Sequence, residues 1–108
     1  MKKKMTDLTE QERINTLDML YTAAASAKGR DGMKAFLRDL LTPSERVMLG
    51  RRIWIARLLM QGMSHAEISR KLLVGLSTVS RVEHWLKDQF PGYEKVIAEL
   101  EKEMDRRA

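Results

Sequence analysis

Between Gly62 and Leu86 the chain reads GMSHAEISRKLLVGLSTVSRVEHWL. Its chemistry lies in short polar side chains next to cations. Ser77, Thr78 and Ser80 carry hydroxyls that bond bases or phosphates. Leu76 offers an apolar contact for a thymine methyl, and Arg81 a guanidinium for guanine or a phosphate. His84 lies one turn further on. Arg70 and Lys71 precede this group by several residues, where contacts to a phosphate backbone are expected. None of these groups forms an acid–base or nucleophile–base set, so the chemistry is recognition rather than catalysis.

The elements that must position them follow from the same stretch. Ser64-His65-Ala66-Glu67 has the form of a capping box and opens a short helix to about Leu72. Leu73-Val74-Gly75 makes a turn, and a second helix runs from about Leu76 to Lys87. Ile68, Leu72, Val79, Val82 and Leu86 fall at helical spacing and hold the two helices together. The result is a helix-turn-helix over about residues 64–87. In that motif the first helix crosses the DNA backbone and the second presents its N-terminal residues to the major groove. The helix start adds amide donors and a favourable dipole. Two positions depart from the usual pattern: Ser69 stands where Ala is common, and Leu73 where Gly is common. An αα-hairpin used only for packing is the competing reading.

The rest of the 108-residue chain frames this motif. With 44% hydrophobic and 32% charged residues it suits a globular protein. A single all-α domain over residues 10–108 is expected, after a polar arm at 1–9. The net charge is +5. From Thr42 to Phe90 the cations Arg46, Arg51, Arg52, Arg57, Arg70, Lys71, Arg81 and Lys87 outnumber the anions Glu45, Glu67, Glu83 and Asp88. Basicity is thus concentrated where phosphate neutralisation would need it. Cysteine is absent, which excludes disulfides and thiolate sites and suits a reducing cytoplasm. His65 and His84 are the only histidines and have no partner at ligand spacing, so no metal is expected. No apolar run reaches a membrane span of about 20 residues.

Upstream, Ile14, Leu17, Leu20, Tyr21 and Ala24 mark an amphipathic helix over about Glu10–Ala27. Lys28 to Gly32 reads as a break. Met33, Phe36, Leu37, Leu40 and Leu41 mark a shorter second helix. Thr42-Pro43-Ser44-Glu45 is a strong helix start, with Thr42 capping, Pro43 at the first helical position and Glu45 closing the box. The apolar residues that follow cover more than one stripe, as in a helix buried on several sides at the centre of a dimer. Gly62 stops it. Pro91 opens a last helix with Tyr93, Val96, Ile97, Leu100 and Met104 on one side.

LLTPSERVMLGRRIWIARLLMQGMSHAEISRKL followed by GLSTVSR resembles the tryptophan repressor family, over about Leu40 to Lys87. The resemblance implies a six-helix fold, two interlaced chains, double-stranded DNA as partner and repression at a palindromic operator. It implies L-tryptophan as corepressor, held in a pocket by two arginines that correspond to Arg52 and Arg81. Leu40, Leu41 and Thr42 match the pocket segment given by the partner chain. Two positions depart. Tryptophan-sensing members have Gly and Ser where this chain has Val82 and Trp85. Trp85 is then either a covalent surrogate for the corepressor or simply core. Both readings speak against dependence on free tryptophan, and its binding as corepressor stays the alternative. Basic residues usual on the supporting helix are replaced by Ala66 and Ser69. A replication- or transposon-type DNA binder and a helical protein-interaction module are the rival functions.

Overall fold

The computed structural model describes residues 7–87 and 91–107. Among them are six helices and no strand: α1 Glu10–Ser26, α2 Gly29–Leu40, α3 Pro43–Met60, α4 His65–Leu72, α5 Leu76–Lys87 and α6 Pro91–Arg107. The fold is all-α, as expected. Of the expected polar arm, residues 1–6 lie outside the described residues, and Thr9 serves as the N-cap of α1. The chain divides into two compact units, Met1–Arg46 and Val47–Ala108.

The first unit is built on α1 and α2. Thr9 Oγ1 accepts from the Glu12 amide at 3.1 Å, and Glu12 Oε1 accepts from the Thr9 amide at 3.1 Å. This reciprocal cap fixes where α1 begins. The break expected at Lys28–Gly32 is corrected. Only Ala27 and Lys28 interrupt the helices, and Gly29 to Gly32 form the first turn of α2. Gly29 takes φ +68°, which costs glycine little, and Asp31 sits where the helix dipole favours an anion. Met19, Leu20, Phe36 and Leu40 line an apolar groove between the two helices. Neither helix buries a single residue.

The start of α3 is the reciprocal cap read from the sequence. The Glu45 amide donates to Thr42 Oγ1 at 3.1 Å, and the Thr42 amide donates to Glu45 Oε1 at 2.8 Å. The Thr42 amide also holds the Glu45 carboxyl below the usual carboxylate range.

The second unit has a continuous apolar core. Ile55, Ala56 and Leu58 of α3 meet Ile68 of α4, Val79 and Val82 of α5, and Ile97 of α6. Each is at most 3% exposed. The first half of α3 differs: Val47, Met48, Leu49, Ile53 and Trp54 stay 39–56% exposed. On α6, Ile97 is buried and Val96 is exposed; the Tyr93 side chain lies outside the described residues. Arg57 of α3 and Gln61, just past its end, hold Glu101 of α6, and the Arg57 bond draws the Glu101 carboxyl below its ordinary value.

Two turns decide where α4 and α5 stand. Gly62, at φ +89°, ends α3. Its amide donates to Leu59 O at 3.0 Å, and the Met63 amide donates to Leu58 O at 3.1 Å, a Schellman arrangement. Ser64 then caps α4 by accepting from the Glu67 amide at 3.2 Å. The expected capping box is only half formed, because the Glu67 carboxylate takes the Ser64 hydroxyl at 2.9 Å in place of the backbone amide.

After α4, Leu73 adopts φ 55° and ψ 48°, a left-handed conformation that leucine takes at a cost of roughly 1–2 kcal/mol. Ser69 holds it there. Its hydroxyl donates to Val74 O at 2.6 Å, and its carbonyl accepts from the amides of Leu73 and Val74. The two residues that depart from the usual motif therefore act together. Ser69→Ala should lower the unfolding free energy by about 1 kcal/mol in urea titration. Leu73→Gly should raise it by up to about 1 kcal/mol, since strain relief exceeds the added chain entropy. Equal stability of both variants and the parent would contradict this account of the turn.

Candidate nucleic-acid interface

Helix α5 is buried along one side. Val79 and Val82 are 0% and 1% exposed, and Leu86 packs at the edge of the core. The other side is bare: Leu76, Ser77, Ser80, Arg81 and His84 are exposed, and Thr78 is half-buried. All the side chains assigned to DNA on this helix are therefore reachable, chiefly from its N-terminal half. Arg70 and Lys71 are exposed in the last turn of α4. There they also complement the negative end of the helix dipole.

A second contact braces α4 against α5. His65 Nε2 and Glu83 Oε2 lie 3.0 Å apart, and Lys87 Nζ lies 3.6 Å from Glu83 Oε1. The bond from His65 is the main reason the Glu83 carboxyl sits below its ordinary value.

Beside α5 lies a cavity of about 290 Å³. Met48, Arg51 and Arg52 line it from α3, Leu73, Val74 and Gly75 from the turn, and Thr78, Arg81, Val82 and Trp85 from α5. Four of the residues assigned to an effector pocket, Arg52, Arg81, Val82 and Trp85, thus meet at one place. The Arg52 guanidinium lies over the Trp85 ring, 5.0 Å from its centroid. That is cation–π geometry. Trp85 is also half-buried against the core, so its packing and stacking roles coexist. Leu40, Leu41 and Thr42 are not in this lining. They end α2, cap its C-terminus and cap α3.

Sequence reasoning passed over Met48, Arg51 and the turn residues as cavity lining. The signal available for Arg51 was its position beside Arg52 on one helix. Among the described residues no cluster of His, Asp or Glu could hold a metal ion, and no helix is long and apolar enough to cross a membrane.

Residues 15–101 match the Trp repressor protein family. The chain belongs to that family. A Trp operon repressor homolog of Photobacterium profundum is 35% identical over 101 residues, covering 93% of this chain and 92% of the relative. One of Vibrio atlanticus is 32% identical, covering 86% of this chain and 96% of the relative. The YerC protein of Bacillus subtilis is 29% identical, covering 79% and 82%. Family membership makes the chain a helix-turn-helix DNA-binding regulator of transcription rather than a member of an enzyme family.

The stack is open to direct test by a double-mutant cycle. Arg52→Ala and Trp85→Ala, alone and together, should give a coupling of about 0.5–1 kcal/mol in urea unfolding. Strict additivity would show that the two side chains merely lie near one another.

Proposed function

We propose that the protein is a homodimeric repressor that reads a palindromic operator through α5 and needs no free L-tryptophan. The observation that carries the DNA reading is the two-sided character of α5. Val79 and Val82 are buried, while Leu76, Ser77, Ser80 and Arg81 remain exposed. In this reading Ser77, Thr78, Ser80 and Arg81 meet bases and nearby phosphates, Leu76 meets a thymine methyl, His84 lies at the margin, and Arg70 and Lys71 meet the backbone. A protein that works on chromosomal DNA acts in the cytoplasm.

The surface of a single chain supports the dimer. α1 carries Ile14, Leu17, Met19, Leu20 and Tyr21 at 42–71% exposure, and the first half of α3 is similarly bare. Burying one such side chain contributes about 1.5–3 kcal/mol, so a second copy covering these faces would stabilise both chains. The relatives named as Trp operon repressor homologs agree with repression.

Independence from tryptophan is supported by the stack. The Arg52 guanidinium already lies over the indole of Trp85. Val82 narrows the same cavity where the sensing members have Gly. A free indole in this cavity would compete with Trp85 for Arg52. The chain therefore carries its own aromatic ring in the place where a ligand's would go.

Selection from a randomised DNA pool tests the function. The expected product is a two-fold symmetric site whose half-sites lie about 34 Å apart, one helical turn. Arg81→Ala should stay dimeric and lose roughly 5–150-fold in affinity for that site, the range of one charge-assisted contact to a base or a phosphate. Failure to enrich any sequence would favour the protein-interaction module, and undiminished binding by Arg81→Ala would refute the reading model.

A further inference from the structure

The cavity beside α5 holds a cation, Arg51, that the family reading does not use. Arg51, Arg52 and Arg81 all line it, with the Thr78 hydroxyl among them and no acidic residue in the lining. Among the described residues none of the three arginines has a carboxylate partner. Arg52 places its charge over the Trp85 ring, whereas Arg51 and Arg81 are left exposed. Like charges gathered around one concavity repel, and no carboxylate in its lining offsets that repulsion. An anion between them would offset it. A guanidinium pair with a hydroxyl matches the oxygens of a phosphate, which accept several donors at once.

We infer that Arg51, together with Thr78 and Arg81, holds one phosphate oxyanion at the junction of α3 with the helix-turn-helix, and that DNA supplies it. The inference rests on the DNA reading above and adds a third contacting element to it. Helix α3 then serves both as scaffold for the core and as a phosphate clamp. DNA is favoured over a free small anion because Arg51 and Arg81 are exposed residues of the cavity lining. A small anion gains more from donors withdrawn from water, whereas a duplex carries its phosphates to the surface. The Arg51 contact would also set where α5 enters the groove. It would contribute affinity without sequence information.

The test uses the full-length protein and its selected duplex. Arg51→Ala should weaken binding to the selected site and to random duplex by the same factor. It should lower the slope of log K against log salt by about 0.9 for each recognition helix, while Arg51→Lys keeps the slope. Replacing phosphates one at a time by neutral methylphosphonate should reveal one position per half-site that weakens the parent but not Arg51→Ala. A thermal melt of Arg51→Ala equal to the parent's shows that the variant is folded. In a parallel arm, inorganic phosphate is titrated into parent and variant at constant ionic strength without DNA.

An unchanged salt slope and no position specific to Arg51 would overturn DNA as the source. Phosphate binding by the parent and not by Arg51→Ala would then support an oxyanion site filled by a small molecule. Absence of both effects would overturn the site. Should the parent show no sequence preference, the operator reading fails, and equal loss on random duplex with Arg51→Ala would still support the clamp.

Discussion

A helix that reads DNA must be buried along one side and bare along the other, and it must not roll between the two. Most of the second unit serves that constraint. Ile68, Val79 and Val82 are essentially free of solvent contact, which fixes the inner side of α5 against α4 and the rest of the core. His65 and Glu83 tie the two helices at the surface. Arg52 ties α5 to α3 from a third direction, over the Trp85 ring. Apolar packing supplies most of the energy, since each buried side chain contributes about 1.5–3 kcal/mol and an exposed ion pair about 1 kcal/mol at most. The polar ties set the rotation of the helix rather than its attachment.

The turn between α4 and α5 shows how the fold tolerates a costly residue. Glycine adopts the left-handed conformation freely, and leucine does not. Leu73 takes it here, and the Ser69 hydroxyl and carbonyl together secure the backbone on either side. Serine is a poor choice for a helix interior because its hydroxyl competes for backbone groups. In α4 that tendency is used: the competing bond closes the turn. A substitution read alone at either position looks unfavourable, and the pair is coherent.

Much of this was legible from residue types. The caps at Thr42 and Ser64, the stop at Gly62 and the buried set Ile68, Val79 and Val82 all follow from local rules, and local rules act through neighbours in sequence. The start of α2 was missed because two glycines in five residues suggest a loop, while Gly29 in fact supplies the positive φ that lets the helix begin. The form of the α4 cap was half missed because the Glu67 carboxylate can accept from either of two Ser64 donors, the hydroxyl or the backbone amide, and sequence does not choose between them. The cavity was only partly legible. Arg52, Arg81, Val82 and Trp85 came from the family pattern, whereas Arg51 belongs to it through the three-dimensional meeting of α3 with the turn. Apolar stripes on α1 and the first half of α3 were readable, and the α3 pattern was that of a helix completed by a second chain; in the single chain both stay exposed.

The proposal that Trp85 supplies the aromatic ring at Arg52 joins the structure to the regulation. It makes the geometry of α5 a property of the chain and not of a metabolite. Calorimetric titration of L-tryptophan into the purified protein tests it most directly. With Arg52 already over the Trp85 ring, no saturable heat is expected at tryptophan concentrations up to about 100 μM, whereas a ligand with a Kd of about 1 μM would bind with about 8 kcal/mol of free energy. Saturable binding in the micromolar range, lost on Arg52→Ala, would contradict the account and return the cavity to the service of a free corepressor.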